Sequence, residues 1–397
     1  MKRRDFIINS SLASGMLFVP SFLQAFEKIP KNKLGHKKLV VIQLSGGNDG
    51  LNTIVPYTND IYYKKRPKIA ISKNDLLRLN GEMGIPSYMS PLKNLYDKGY
   101  LSIINNVGYP NPVRSHFRSA DIWQTATDAN EYKSTGWIGD YIDVNKLDSH
   151  MAIDVDNKLS LALKGKDKSG IAAFDAKLLY RNSNDPFFKK VLNKHHLDEH
   201  LNEENLGYLY KQMIQAESSA SYIYQKSKTY KSGTKYNSNS FEKQLATTAT
   251  FINSHLETKV YYVSMGGFDT HVGQNNKHKR LMTVLSNGLE NFVNDLKAND
   301  TFKDTLIMVF SEFGRRVEEN AGMGTDHGAA NNLFLLTENL KKPGIYNNTP
   351  NLADLDKNGD VKYDVDFRQV YSTVLEKWLE ADPKKILGKS FENLNFI

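Results

Sequence analysis

The chain has 397 residues, 40% of them hydrophobic, a formal net charge of +8 and no cysteine. That length supports one large α/β domain or two smaller ones, and the missing cysteine excludes disulfides, thiolate metal ligands, a cysteine nucleophile and a lipid anchor on cysteine. The positive charge is scattered and not interleaved with aromatic residues, so no nucleic-acid partner is expected, although anionic surfaces and substrates remain attractive to such a chain.

The N-terminus reads KRRDFI and runs into a modestly apolar stretch ending near Ala25. Two arginines ahead of Asp5 and Phe6 resemble a twin-arginine export signal. Asn9, Ser10, Ser11, Ser14, Gly15 and Pro20 break the apolar run, which argues against a permanent membrane helix. Residues 1–25 are therefore expected to be a cleaved leader, with the twin-arginine machinery as a partner and the periplasm or cell envelope as destination. No other segment is expected to span a bilayer.

From residue 38 to 397 a single α/β domain is expected. Leu39 to Leu44 is a buried-strand candidate, Pro91 to Lys98 a helix, and the run from Leu101 a second strand. NPVRSHFRSADIWQTA opens another helix, with Pro112 restricting the chain at its entrance. Ala152 to Ala173 is weakly patterned, and short strands are expected around LSLAL. Residues 187–236, rich in Lys, Asn, Tyr and Ser, suggest a polar helical insertion or lid. KQLATTATFINSHL, KVYYVSM, LMTVLSNGLENFVNDLK and TLIMVF then alternate helix, strand, helix and strand, which implies a mostly parallel sheet flanked by helices. DFRQVYSTVLEKWLEA closes the chain as an amphipathic helix.

Acidic residues and histidines stand at the ends of these apolar runs. Asp49 follows LVVIQLSGGN, Asp269 and His271 follow KVYYVSMGGF, Glu312 follows TLIMVFS, and Asp326 and His327 lie in the glycine-flanked TDHG. Ligands of open α/β sheets gather at the carboxyl ends of strands, so these side chains can converge on one crevice and suggest a metal site. Asp269 and His271, two apart, project to one side of an extended backbone and offer the oxygen and nitrogen that Zn, Mn or Fe accept; an Asp-His hydrogen bond in a turn explains the same letters. In RSHFRS, Ser115 is a nucleophile or an ordinary helix cap, His116 a ligand or base, and Arg114 and Arg118 anion clamps. Arg315, after Glu312, can grip an anionic oxygen or simply pair with an acid. DLDKNGDVKYDVD, from Asp354, matches the first half of a calcium loop, but Val365 stands where the bidentate Glu is needed, so a turn at Asn358 and Gly359 is expected instead.

The series SGGNDGLNTIVPY, YYKKRPKIAI, GYPNPVRSHFRSADIWQT, STGWIGDYID, YYVSMGGFDTH, VFSEFGRR, GTDHG and DFRQVYSTVLEKWL resembles the exported bacterial proteins grouped as domain-of-unknown-function family 1501. That family in turn resembles the alkaline phosphatase and sulfatase superfamily. The resemblance implies an alkaline phosphatase-like fold, one or two divalent ions (Zn, Mn, Fe or Ca) held by Asp49, Asp269, His271, Glu312 and His327, and Ser115 as the nearest match to the nucleophile. Two departures stand out: Phe313 follows Glu312 where the superfamily has a metal-binding His, and Ser115 follows Arg114 where sulfatases put the nucleophile first. The expected activity is metal-dependent hydrolysis of a phosphate or sulfate ester, small or on a glycan, with Arg114 or Arg315 countering developing charge. The alternative is a noncatalytic envelope protein binding a glycan, lipid or protein.

Overall fold

Strand Lys38–Ser45 (β1) sits inside the main sheet, parallel to Val260–Gly266 (β7) on one side and Thr305–Phe310 (β8) on the other. The computed structural model describes residues 36–195 and 204–397. The expected leader lies outside the described residues.

Between β1 and β7 come Leu76–Arg78 (β2), Gly84–Pro86 (β3), Leu101–Gly108 (β4), Ala152–Asp154 (β5) and Ile171–Ala172 (β6). After β8 come Arg315–Glu319 (β9), Thr325–His327 (β10), Asn331–Leu336 (β11), Gly344–Ile345 (β12) and Val365–Asp366 (β13). The main sheet has the order β12-β4-β11-β8-β1-β7-β5-β6, with β13 also on β4. All its pairings are parallel except the two made by β11, which runs antiparallel to β4 and β8. The structure is thus an α/β fold with a mostly parallel central sheet. Reversal of β11 places its first residue, Asn331, at the edge where β1, β7 and β8 end.

Period-two alternation divides β1 between two cores. Val40, Ile42 and Leu44 enter the layer with Phe241, Leu245, Leu285 and Leu289, from helices Ser240–Asn253 and Gln274–Ala298. Leu39 and Val41 enter the other layer, with Trp123, Trp137 and Tyr371 from helices His116–Thr125, Trp137–Val144 and Phe367–Thr373. Both faces of the strand are covered, so its sequence reads as a continuous apolar run rather than an alternating one.

The structure differs from expectation in four places. LSLAL, expected to hold short strands, folds as a 3-10 turn over Leu161–Leu163, with β5 and β6 on either side of it. Helix Gln274–Ala298 starts well before the expected Leu281, because its polar first turns carry no apolar stripe. The closing helix turns π-helical over Val374–Trp378. Within the stretch expected as an insertion or lid, helix Glu204–Ser227 packs on Ala176–Ser183 and Ser240–Asn253 and buries Ala220 and Ile223, joining a helical layer. Among the described residues, no helix is long and apolar enough to cross a membrane.

Candidate metal centre

Tight backbone packing brings the strand exits together. Gly46, just beyond β1, has φ of +118°, and a Cβ there would lie 2.5 Å from the backbone nitrogen of Asp269. Only glycine tolerates that conformation and that approach. Ser311, beyond β8, donates its hydroxyl to Leu44 O at 2.6 Å and accepts the Asn48 N–H at 2.9 Å, fastening β8 to β1. Buried Arg315 completes the bracing. Its guanidinium donates to Gly47 O at 2.7 Å, Thr325 O at 2.8 Å, Phe268 O at 3.2 Å and Gly46 O, so carbonyls from three separate segments share one cation.

On this scaffold His116, Asp269 and His327 place ligand atoms within 4.8 Å of one another, and His271 joins them. Asp269 Oδ1 is the centre. It lies 3.3 Å from His116 Nε2, 3.0 Å from His271 Nε2 and 3.4 Å from His327 Nε2, and accepts from Arg315 Nη2 at 2.8 Å. Burial raises the Asp269 pKa, but Arg315 and the neighbouring histidines outweigh it and bring the group to about 2.

Each of the three imidazoles is fixed at its other nitrogen. His116 Nδ1 meets Glu312 Oε1 at 2.9 Å, His271 Nδ1 meets Asp326 Oδ1 at 3.1 Å, and His327 Nδ1 meets the carbonyl of Arg114 at 2.7 Å. A carbonyl or carboxylate can only accept, so Nδ1 carries the proton and Nε2 presents a lone pair. His271 Nε2 and His327 Nε2 then face each other at 2.9 Å, and buried His116 Nε2 has no hydrogen-bond partner. Converging lone pairs beside a carboxylate repel unless something positive lies among them, and acceptors behind each imidazole are the usual outer shell of a metal ligand. The residues therefore fit a divalent cation. The buried ring of Phe313 packs against His116 at 4.8 Å and His327 at 4.9 Å between centroids, so the aromatic residue supports two imidazoles. The hydrogen bond that His116 donates to Glu312 raises the His116 pKa against burial, whereas burial lowers that of His327.

The structure separates the remaining sequence candidates from this cluster. Asp49 is fully buried, bonded to Arg66 Nη1 at 2.7 Å and to Gln274 Nε2. Burial pushes its pKa up, but Arg66 and Gln274 together hold it below the usual carboxylate range. Its negative charge is already matched inside the protein. Glu312, also buried, accepts from Gly46 N–H at 2.8 Å and orients His116 instead of joining the ligand atoms. Arg315 engages all three of its nitrogens with protein acceptors. Arg114 is partly exposed and paired with Asp360, while exposed Ser115 caps helix His116–Thr125 without a side-chain capping bond. Arg118 donates to carbonyls of Asp128 and Ala129. Asp354 pairs with Lys362, and Asp356 accepts the N–H groups of Asn358 and Asp360 in a tight turn, so the calcium-like segment spends its acids locally. Sequence reasoning missed the roles of Arg66, Gln274 and Phe313.

Among known structures, the chain is similar to the lipoteichoic acid synthase LtaP from Listeria monocytogenes, at 10% identity and a TM-score of 0.37 over 80% of this chain and 70% of that one. It is similar to the zinc complex of the C-terminal periplasmic domain of EptC from Escherichia coli, at 10% identity and a TM-score of 0.34 over 76% of this chain and 73% of that one. The PsFucS1 sulfatase from Pseudoalteromonas sp. is similar at 10% identity and a TM-score of 0.39 over 90% and 70%. Scores this low decide neither fold nor chemistry, which rest here on the strand order and the cluster. No curated protein matches the chain significantly. The family model described as "Protein of unknown function (DUF1501)" matches residues 83–390, a span that holds every residue of the histidine-aspartate cluster, and the chain belongs to that family.

Proposed function

We propose that the chain is an exported, metal-dependent hydrolase of phosphate or sulfate esters, with His116, Asp269, His271 and His327 holding a divalent ion. One observation carries this reading: three imidazoles, each fixed at Nδ1 by an acceptor, present Nε2 to Asp269 Oδ1. A nitrogen-rich donor set suits Zn, Mn or Fe better than Ca, which prefers oxygen. Once bound, such an ion polarises an ester oxygen and makes a bound water more acidic.

The chain's own groups have distinct tasks in this reading. Glu312 and Asp326 orient His116 and His271, and the Arg114 carbonyl orients His327. The half-exposed Arg114 guanidinium offers positive charge to an oxyanion beside the cluster. Ser115, one residue before His116, is the candidate nucleophile if a hydroxyl and not water attacks. Its hydroxyl makes no side-chain capping bond to the helix it precedes.

Elemental analysis of protein exported and purified without chelators tests the metal assignment. Near-stoichiometric metal in the wild type and its loss in a folded His327→Ala variant are expected. Folded wild-type protein that carries no metal and takes up none on titration sinks the assignment. Metal-loaded protein inert toward both phosphate and sulfate esters supports the binding alternative.

A further inference from the structure

We propose that Asn320 is the positioning residue for His271: its side-chain amide joins the main chain of His271 to Asp326, the acceptor behind that imidazole, and so aims His271 Nε2 into the cluster. What this does to metal affinity rests on the metal reading proposed above; what it does to the imidazole rests on the hydrogen bonds alone. Asn320 Oδ1 accepts the N–H groups of Gly322 at 2.9 Å and Gly324 at 3.1 Å, and Nδ2 donates to His271 O at 3.0 Å and to Asp326 Oδ1 at 3.1 Å. Both lone pairs and both N–H groups of the amide are used, so turning it over would set donor against donor and acceptor against acceptor. Asp326 Oδ1 is also the atom that meets His271 Nδ1 at 3.1 Å. One nitrogen thus holds the main chain that carries the imidazole and the oxygen that orients it.

The turn between β9 and β10, in which Asn320 stands, lies against the turn after β7. Gly322 O accepts the Gly273 N–H and Met323 O the Gln274 N–H, each at 2.9 Å. A Cβ on Gly324 would stand 2.3 Å from the carbonyl carbon and oxygen of His271, so the two turns touch through backbone. The other imidazoles have acceptors of a different kind. Glu312, behind His116, is buried and fixed by the Gly46 N–H at 2.8 Å; behind His327 is a main-chain carbonyl. The Asp326 side chain is 53% exposed, and without Asn320 its carboxylate is open to water. A neutral imidazole that loses the acceptor at Nδ1 can carry its proton on Nε2, which takes the lone pair away from the cluster.

Asn320→Asp is nearly isosteric and keeps an oxygen for the Gly322 and Gly324 N–H groups, but it replaces the two donors by a carboxylate oxygen facing two acceptors. Asn320→Ala removes both functions. Nitrogen NMR of histidine-labelled protein, stripped of metal with a chelator and held at alkaline pH, reads which ring nitrogen carries the proton. Wild-type His271 is expected to carry it on Nδ1; in both variants it should shift to Nε2 in a large share of molecules, while His116 and His327 stay as they are. A His271 signal unchanged in Asn320→Asp overturns the proposal, as does a wild-type His271 protonated at Nε2. On titration with zinc both variants should bind about tenfold or more weakly, the scale of a lost outer-shell partner, and in a His271→Ala background Asn320→Ala should weaken binding no further. Equal losses in the two backgrounds overturn the proposal. A His271 proton that depends on Asn320, in protein that binds no zinc, keeps the positioning role and removes the metal reading.

Discussion

Asp49 and Asp269 follow similar glycine-rich exits from neighbouring parallel strands, yet their environments assign them opposite work. Asp269 is partly exposed and surrounded by imidazole nitrogens; Asp49 is sealed against Arg66, whose Nη1 also donates to Asn52 and whose Nε donates to Val317 O at 2.9 Å. A carboxylate whose charge is already balanced by a buried guanidinium is a poor additional ligand. Asp49→Asn is accordingly expected to leave metal content unchanged while lowering stability by about 3–5 kcal/mol, because Arg66 then stays buried without its counter-charge. Elemental analysis and urea unfolding of the same variant check both halves; loss of metal with unchanged stability would reverse the assignment. Nothing in the sequence separates the two aspartates. Arg66 sits in YYKKRPKIAI, which reads as a solvated basic run, and its burial follows from the distant segment of Arg316 and Val317 closing over it. His116 was legible only as one of several options in RSHFRS, since its role depends on Glu312 arriving from another strand.

At the scale of elements, the site depends on how closely the turns after β1 and β7 can pack. Gly46 is where that tolerance is smallest: positive φ makes any side chain strained, and the nearest obstacle is backbone, which has nowhere to move. Gly46 N–H also donates to Glu312, which in turn orients His116. Gly46→Ala should therefore displace both Asp269 and the Glu312 contact, lowering metal affinity at least about tenfold, the scale of a lost outer-shell partner. Metal titration of the folded variant measures this, and wild-type affinity would show that the turn adapts. The strands behind these turns were legible because β1, β4, β7 and β8 are buried apolar runs. The β9 and β10 pair was not, since RRVEE and TDH carry no apolar alternation and are placed by Arg315 and the backbone. The reversal of β11 leaves no mark on its own residues, because a strand covered on both faces reads alike in either direction.

Across the whole molecule, stability should carry a pH signature from the end of the sheet away from β12. Asp154, the last residue of β5, is 2% exposed, and its carboxylate accepts the Ser160 N–H at 2.7 Å. Burial raises its pKa to about 7, although the hydrogen bonds with Ser160 oppose the shift. Among the described residues no arginine or lysine pairs with it, in contrast with Asp49. An acid whose folded pKa lies above its unfolded value binds its proton more tightly in the folded state, so its contribution is complete below the unfolded pKa near 3.8 and disappears as pH rises through about 7. Between pH 5 and 8 the expected loss is about 3 kcal/mol, from roughly two pH units at 1.36 kcal/mol each. Asp154→Asn keeps the acceptor for Ser160 and removes the titration. Urea midpoints of wild type should therefore fall over this range beyond those of the variant, with the variant the more stable protein at pH 8. Parallel pH profiles for the two would mean that Asp154 is solvated or paired in solution. His116, Asp269, His271 and His327 are held by Glu312, Arg315, Asp326 and the Arg114 carbonyl and not by Asp154, so the variant should keep its metal, which separates fold stability from the chemistry of the cluster.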